Sequence, residues 1–203
     1  MSDFISILSE EKMTIIAIDC DEVLIDTTNH LSLYVKEKFW YDWFYHDYKY
    51  YMLHENDHID MDFDTSQTLV NDYYNSPEAK DALPIEGAQE AVQKLLEVWH
   101  KLYVVTARHE WQKALTYWQI DNFFPDIFTD IHFAHHHTEK RMPKSQLCNE
   151  VWATILIEDN IDYALEASEK GIQTFLLERP RNHWRQETHP LMTKVKHWSE
   201  IHI

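Results

Sequence analysis

The sequence predicts an α/β fold in which helices cover both faces of a parallel sheet. Short, β-branched apolar runs alternate with helical patterns along most of the chain, and three of these runs end in polar side chains. Unbroken apolar runs are typical of strands buried on both faces of a parallel sheet. A segment of different composition, 27–82, interrupts the alternation. We therefore expect one doubly wound core, 1–26 and 83–203, that carries one helical insertion.

The first predicted strand, Thr14 to Ile18, runs directly into Asp19 and Asp21. Ligands of such sheets bind at the carboxyl ends of the strands, so both carboxylates are expected on the rim of the sheet, facing one crevice. Aspartate is also common in turns, and for this pair alone a turn that simply ends the strand is an equally good interpretation.

The predicted insertion is dense in aromatic and acidic residues. Nine aromatic residues crowd one window: Phe39, Trp40, Tyr41, Trp43, Phe44, Tyr45, Tyr48, Tyr50 and Tyr51. One interpretation is that the rings pack a core of their own or form a homodimer contact, since aromatic residues dominate cores and interfaces. The other is that some of them form a stacking wall for a base or sugar, with Trp40, Trp43 and Phe44 as candidates.

A second strand with polar residues at its end follows the insertion. A helical stripe over 88–99 leads into the apolar run 102–105, which delivers Thr106, Ala107 and Arg108 to the same edge of the sheet as Asp19.

The next elements are a helix at 111–119 and a strand at 127–133, with Pro125 between them. We interpret the triple histidine that follows, 135–137, as a solvated loop, because adjacent loop side chains seldom converge on one metal.

A third strand, 154–157, ends in Glu158, Asp159 and Asn160, and Lys144 opens the helix before it, over 145–151. A further helix over 162–170 ends at Gly171, where glycine suits a left-handed C-terminal cap. The last strand is predicted at 172–177, with a further edge element at 195–198.

Composition excludes several classes of protein. The formal net charge of −17 repels nucleic-acid polymers, so a phosphate ligand must be attracted by a local cation or a metal. The only glycines, Gly87 and Gly171, cannot build a Rossmann fingerprint or a Walker loop. Cys20 and Cys148 lack the spacing of a zinc knuckle or a disulfide framework. Because the first residues lack a secretory pattern and no segment is long enough to span a bilayer, we expect a cytoplasmic protein with no membrane partner.

The polar residues at the strand ends together predict phosphoryl transfer. Two carboxylates about 4 Å apart repel each other by roughly 4 kcal/mol at an effective dielectric constant near 20, so a cation must neutralise the acidic cluster. Oxygen ligands without histidine or cysteine indicate Mg²⁺. A carboxylate can attack phosphorus as a nucleophile, and a second acid can supply the proton that the leaving group needs. Thr106 and Lys144 would then hold the phosphoryl oxygens.

The order of these motifs resembles that of the haloacid dehalogenase-like superfamily of phosphatases: DxDxV at 19–23, an apolar run ending in Thr106, then Lys144, then an acidic pair after a strand. The resemblance implies a Rossmann-like core with a helical type 1 cap inserted after the first strand. It also implies that Asp19 is the nucleophile and that Asp21 is the general acid and base.

The resemblance further implies a Mg²⁺ site and a phosphate site. Asp19, Asp21 through its backbone carbonyl, and Asp159 would bind the ion directly, and Glu158 would act from behind these ligands or through water. Phosphate would be bound by Thr106, Ala107 and Lys144.

Four phrases resemble the cytosolic type C 5'-nucleotidases, or 5'(3')-deoxyribonucleotidases, and their bacterial relatives: LPIEGA (83–88), LYVVTAR (102–108), KSQLC (144–148) and ERPRN (178–182). This finer resemblance implies a nucleoside 5'-monophosphate as substrate, with Arg108 as a further substrate contact. Two residues depart from the pattern. Glu22 stands where many phosphatases have glycine, and Glu158 stands where the nucleotidases often have aspartate.

Two alternatives remain beside a nucleotidase, and chain order excludes a third. A sugar-phosphate or other small-metabolite phosphatase would share the same core, and a catalytically silent phosphate or nucleotide binder could use the same scaffold. A receiver domain of signalling proteins also gathers acids, threonine and lysine around Mg²⁺, but its acidic pair comes first in the chain, whereas here it comes last. For each of the enzymes considered, the expected binding partner is a small phosphorylated metabolite.

Overall fold

The computed structural model describes residues 13–40, 43–56, 59–134 and 142–203, so the prediction for the triple histidine at 135–137 lies outside the described residues. Within these ranges six strands form one sheet. The strands are β1 (Ile15–Ile18), β2 (Lys101–Thr106), β3 (Ile131–Phe133), β4 (Ile155–Glu158), β5 (Gln173–Leu177) and β6 (Met192–Val195). The α-helices of the described residues are α1 (Thr27–Phe39), α2 (Phe63–Asn75), α3 (Ala88–Glu97), α4 (Lys113–Phe123), α5 (Lys144–Glu150) and α6 (Ile161–Glu169).

The strand order is β3-β2-β1-β4-β5-β6, and every pairing is parallel. Helices α3 and α4 pack on one face of the sheet and α5 and α6 on the other, in separate apolar clusters. The predicted doubly wound α/β fold is therefore confirmed. Because β1 lies between β2 and β4, the carboxyl ends of these three strands meet at one point on the edge of the sheet.

Burial of β1 on both faces explains its unbroken apolar sequence. Ile16 and Ile18 join the cluster on the face of α3 and α4, and Ala17 joins the cluster on the opposite face. All three residues are fully buried. The same alternation holds in β4, where Ile155 and Ile157 face one cluster and Leu156 faces the other.

Two predicted strands have different bounds in the structure. The strand predicted at 127–133 begins only at Ile131, after a turn in which Asp126 has a positive φ of 60°. The edge element predicted at 195–198 lies earlier, as β6, which pairs with β5. Trp198 is instead buried, and its indole N–H donates to the carbonyl of Val23 at 2.9 Å.

Residues 27–82, called the helical segment below, have an apolar core of their own. Besides α1 and α2 they contain short 3₁₀ turns at Tyr45–Asp47, Leu53–Glu55 and Pro77–Asp81. Nine of their buried residues form one cluster: Leu31, Val35, Trp43, Tyr48, Leu53, Ile59, Leu69, Tyr73 and Ala79. Much of the aromatic content of the segment is therefore used to hold it together.

The chain enters and leaves the helical segment at adjacent positions. The Asp26 amide donates to the Leu83 carbonyl and the Ile85 amide to the Leu24 carbonyl, both at 2.9 Å. Ile25 and Pro84 form an antiparallel bridge between these bonds. We call this paired stretch, 24–26 with 83–85, the crossing ribbon.

Both cysteines are buried and free. In the described part of the chain, the helices are too short or too polar to cross a membrane.

Candidate active site

The polar residues predicted at the three central strand ends lie together. Asp19 follows β1, and its backbone N–H donates to the Ile157 carbonyl at 2.9 Å, which holds it against the end of β4. Thr106 and Glu158 are the last residues of β2 and β4, and both are fully buried. Lys144, the first residue of α5, reaches the same point from one face of the sheet.

Lys144 bridges two carboxylates. Its fully buried ammonium lies 2.8 Å from Asp19 Oδ1 and 2.6 Å from Glu158 Oε2. Burial alone would lower the pKa of Lys144, but the two carboxylates raise it above its usual value. Glu158 also accepts a hydrogen bond from the Asn160 amide at 2.9 Å. Lysine and glutamate therefore hold each other in place beside Asp19.

Three buried acids could hold a metal ion. Asp19, Glu158 and Asp159 each offer an oxygen, and these oxygens lie within 4.8 Å of one another. Burial raises the pKa of Asp159 to about 7, Arg181 opposes that rise, and the Asp19 carboxylate adds to it. Buried, mutually repelling oxygen ligands suit a hard divalent cation, so the donor set fits Mg²⁺.

Asp21 has different partners. The Arg108 guanidinium donates two parallel hydrogen bonds to the Asp21 carboxylate, from Nε to Oδ2 at 2.9 Å and from Nη2 to Oδ1 at 2.7 Å, and we call this pair of bonds the fork. The Thr27 hydroxyl also donates to Oδ1. Burial alone would raise the pKa of Asp21, but the guanidinium holds it below its usual value. The Asp21 side chain is 24% exposed, so the fork leaves part of the carboxylate open.

A cavity of about 420 Å³ separates these groups from the helical segment. Asp19, Asp21, Ala107, Lys144 and Asp159 line it on the core side. The opposite wall is largely apolar and includes Tyr48, Tyr51, Met52, Leu53, Val70 and Tyr74. Polar groups at one end and an apolar wall at the other are typical of a small-molecule site.

The aromatic residues predicted to contact substrate do not line this cavity. Trp40 is 90% exposed, beyond the end of α1. Trp43 is buried in the core of the helical segment, where it stacks on Tyr48 with 5.0 Å between ring centroids. The Phe44 ring stacks on His46 outside the cavity. The rings that do face the cavity, those of Tyr48, Tyr51 and Tyr74, come from the same segment but were not singled out.

Two residues predicted to bind phosphate or substrate, Thr106 and Arg108, make hydrogen bonds within the protein. The Thr106 hydroxyl accepts a hydrogen bond from the Arg108 amide at 3.2 Å. Arg108 does line the cavity, but its guanidinium is engaged by Asp21.

The loop after β5 adds residues that sequence reasoning missed. Arg181 lies 3.4 Å from Asp159 Oδ2 and stacks over the Tyr51 ring at 4.3 Å. The Asn182 amide donates to the carbonyls of Asp159 and Leu177, at 2.6 and 2.8 Å. The strand-end rule that identified Asp19, when applied to β5, would have identified this loop.

Glu22 occupies a backbone position that favours glycine. Its φ is 64°, in the left-handed region, which explains why a phosphatase would have glycine here. Its buried carboxylate accepts a hydrogen bond from the Thr28 amide at 2.6 Å, and its carbonyl accepts one from Arg179 Nε at 2.8 Å. Burial raises the pKa of Glu22. The side chain is thus part of the junction between the core and α1.

Solved structures with the same architecture are haloacid dehalogenase-like hydrolases. One such hydrolase from Streptococcus pneumoniae has a TM-score of 0.61 at 17% identity, over 82% of this chain and 85% of that chain. CbbY from Rhodobacter sphaeroides, solved in complex with phosphate, has a TM-score of 0.60 at 14% identity, over 93% and 96%. YfnB from Bacillus subtilis, solved with bound magnesium, has a TM-score of 0.56 at 15% identity, over 93% and 96%.

No protein-family model and no curated protein matches this sequence significantly. At these levels of identity the structural likeness establishes the fold, and the chain has the fold of the haloacid dehalogenase-like hydrolases.

Proposed function

We propose that this protein is a Mg²⁺-dependent phosphomonoester hydrolase that forms an aspartyl phosphate on Asp19. The observation that carries the proposal is the buried cluster at the strand ends: Asp19 is paired with Lys144 and lies beside Glu158 and Asp159, under a cavity that opens onto all four. A positioned carboxylate, a cation for the phosphoryl oxygens and a metal-binding acid set are the parts that this chemistry requires.

The donor set supports Mg²⁺ as the cofactor. Asp19 and Asp159, with Glu158 beside them and the Asp21 carbonyl, would hold the ion, and the magnesium bound to YfnB supports this choice. When bound, the ion neutralises the carboxylates and stabilises the charge that develops on the phosphoryl oxygens.

The first step is attack of the Asp19 carboxylate on phosphorus. The bond from phosphorus to the ester oxygen breaks as the bond to Asp19 forms, and Asp21 donates a proton to the departing oxygen. Lys144 and the backbone at Thr106 and Ala107 stabilise the transferred phosphoryl group. Because Arg108 keeps Asp21 ionised at rest, Asp21 takes this proton from the substrate, as from the phosphate of a monoanionic ester, and passes it to the departing oxygen.

The second step is hydrolysis of the aspartyl phosphate. Asp21, already ionised, accepts a proton from water as the water oxygen attacks phosphorus, and Asp19 is released together with inorganic phosphate. The resting state of Asp21 therefore suits this second step better than the first.

A nucleoside 5'-monophosphate is the substrate that we favour. The phosphate would lie at the strand ends, and the base would lie against the wall that contains Tyr48, Tyr51 and Tyr74. The phosphate complex of CbbY supports binding of the phosphoryl group by this fold.

The helical segment would act as the cap over the site. The Tyr51 hydroxyl donates to the Asp159 carbonyl at 3.2 Å, so the segment contacts the acidic cluster directly. Closure of such a cap excludes water and selects substrates. A cytoplasmic location and a homodimer stay predictions from the sequence.

A phosphate-binding protein without turnover is the second candidate, favoured by the fork between Arg108 and Asp21, which opposes protonation of the acid. Release of para-nitrophenol from para-nitrophenyl phosphate, with and without Mg²⁺, separates the two functions. We expect Mg²⁺-dependent turnover by the wild-type protein. Binding of Mg²⁺ and phosphate without turnover would establish the second candidate instead.

A panel of phosphate esters then tests the substrate. We expect nucleoside 5'-monophosphates to be hydrolysed with a higher kcat/KM than sugar phosphates. Release of phosphate from sugar phosphates alone would overturn the nucleotide assignment and leave the phosphatase assignment in place.

A further inference from the structure

Arg108 is fully engaged by the protein although it lines the cavity. It is 3% exposed, and Nε and Nη2 bind the two oxygens of Asp21. Nη1 donates to Thr116 Oγ1 at 3.1 Å and to Gln119 Oε1 at 2.7 Å. Nη2 also reaches the Thr27 hydroxyl at 3.4 Å. Since each guanidinium nitrogen already has an acceptor, little hydrogen-bonding capacity is left for a substrate.

The hydrogen bonds of Arg108 connect Asp21 with both ends of the helical segment. Thr27, which donates to Asp21, is the first residue of α1. Gln119, which accepts from Arg108, donates to the Ala79 carbonyl in the last turn of the segment at 2.9 Å. The network therefore fixes the Asp21 carboxylate relative to the positions where the segment begins and ends.

The guanidinium also contacts an aromatic ring of the cavity wall. Its carbon lies 5.5 Å from the centre of the Tyr74 ring, within the range of a cation–π contact. Tyr74 belongs to α2, so a third part of the helical segment is in contact with this side chain.

We propose that Arg108 is a positioning residue. It orients the Asp21 carboxylate and couples the orientation of this carboxylate to the placement of the helical segment. This inference rests on the proposed function, because it assigns Arg108 to the acid–base step. It replaces the role expected from the sequence, in which Arg108 contacts the substrate.

Replacement of Arg108 by lysine tests this role, since lysine keeps the positive charge but cannot form the planar fork. A carboxylate displaced by about 1 Å lowers catalysis by up to about 100-fold. For R108K we expect kcat on para-nitrophenyl phosphate to fall about 10- to 100-fold. The dissociation constant of inorganic phosphate, measured by calorimetry in saturating Mg²⁺, should stay within about two-fold of the wild-type value, because Arg108 does not bind the phosphoryl group.

A double variant separates positioning from an independent effect. If Arg108 acts through Asp21, R108K should lower kcat little further in a D21N background, and the two effects should be strongly non-additive. R185K is the matched control. Arg185 is likewise an ion-paired arginine, bound to Asp162 and Glu187, but it lies outside the cavity, so R185K should leave kcat unchanged.

Thermal unfolding shows whether R108K is folded. Should it not fold, Q119M provides the same test from the far side of the network. It removes one of the two acceptors at Nη1 and the bond to Ala79 but leaves the fork itself intact. We expect a smaller fall in kcat, again with unchanged phosphate affinity.

Four outcomes would overturn the proposal. If R108K weakened phosphate binding but preserved kcat, Arg108 would be a substrate-binding residue, as the sequence predicts. Wild-type kcat in a folded R108K, or full additivity with D21N, would reduce it to a structural residue. Absence of turnover by the wild-type protein would overturn the proposed function together with this inference, whereas the other outcomes, seen with an active wild-type protein, count against the inference alone.

Discussion

Asp19 and Asp21 are separated by one residue and have opposite surroundings. Asp19 shares the Lys144 ammonium with Glu158 and lies beside a third acid, whereas Asp21 accepts both hydrogen bonds of the Arg108 fork. Burial raises the pKa of Asp19 above its usual value even though Lys144 opposes the rise, and Arg108 holds the pKa of Asp21 below it. The comparison shows that neighbouring groups, rather than residue type, distinguish the two carboxylates. The proposed function assigns the metal to the side of Asp19 and the proton transfers to the side of Asp21, called the metal side and the acid–base side below.

The largest effect expected on the metal side is the loss of the nucleophile. D19N keeps the shape of the side chain but removes its nucleophilic oxygen, so kcat on para-nitrophenyl phosphate should fall by about 10,000-fold or more. The fold should persist, because one of several mutually repelling acids becomes neutral. Circular dichroism and steady-state kinetics measure both.

D162N is a suitable control for D19N, because Asp162 is an exposed aspartate at the start of α6. Its kcat should equal that of the wild-type protein. If D19N retained near wild-type turnover, the nucleophile would have to be another residue and the division between the two carboxylates would be lost.

The buried ion pairs of Lys144 should contribute more to the free energy of unfolding than an exposed ion pair does. K144M leaves Asp19 and Glu158 buried without their cation, and removing one partner from a buried pair typically costs about 3–5 kcal/mol. Urea unfolding without Mg²⁺ should show a destabilisation of this order. K94M is the matched control, because Lys94 and Glu90 lie at a similar distance of 2.7 Å but are exposed, and its effect should stay below about 1 kcal/mol. Equal effects of K144M and K94M would contradict the importance given to burial.

The smallest of the three effects is stabilisation by metal. Mg²⁺ binds the folded cluster more tightly than the unfolded chain, so at about 100 times its dissociation constant it should add about 2.7 kcal/mol to the free energy of unfolding and raise the Tm. D159N should lose most of this shift because it removes a carboxylate ligand. D21N should keep most of it, since Asp21 is expected to bind the ion through its backbone carbonyl. If D159N and D21N lost the Tm shift equally, the two carboxylates would not differ in their contribution to metal binding.

The sequence predicted the placement of Asp19, Glu158 and Lys144 at one point well, because the signals on this side are local. Asp19 follows an apolar run of four residues and Glu158 a run of three, and in a parallel sheet such runs end at the same edge. The pairing of Lys144 with both acids follows from that topology once α5 is placed against the sheet.

The acid–base side was less predictable because its contacts are long-range. Asp21 and Arg108 are 87 residues apart, and an arginine after a strand-end threonine suggests a substrate contact equally well. Gln119 gave no signal at all, since a glutamine in a helix is usually solvated. Similarly, β6 was placed too late in the chain because an edge strand with alternating exposure, Met192–Val195, lacks the apolar run that marks a central strand.

The crossing ribbon has a consequence for engineering. Because the Asp26 amide binds the Leu83 carbonyl, the chain leaves the core and returns to it at neighbouring points, and the whole of 27–82 could be exchanged for a short linker without rerouting any strand. The core would then be a scaffold that accepts interchangeable lids, each of which brings its own substrate preference to an unchanged set of strand ends.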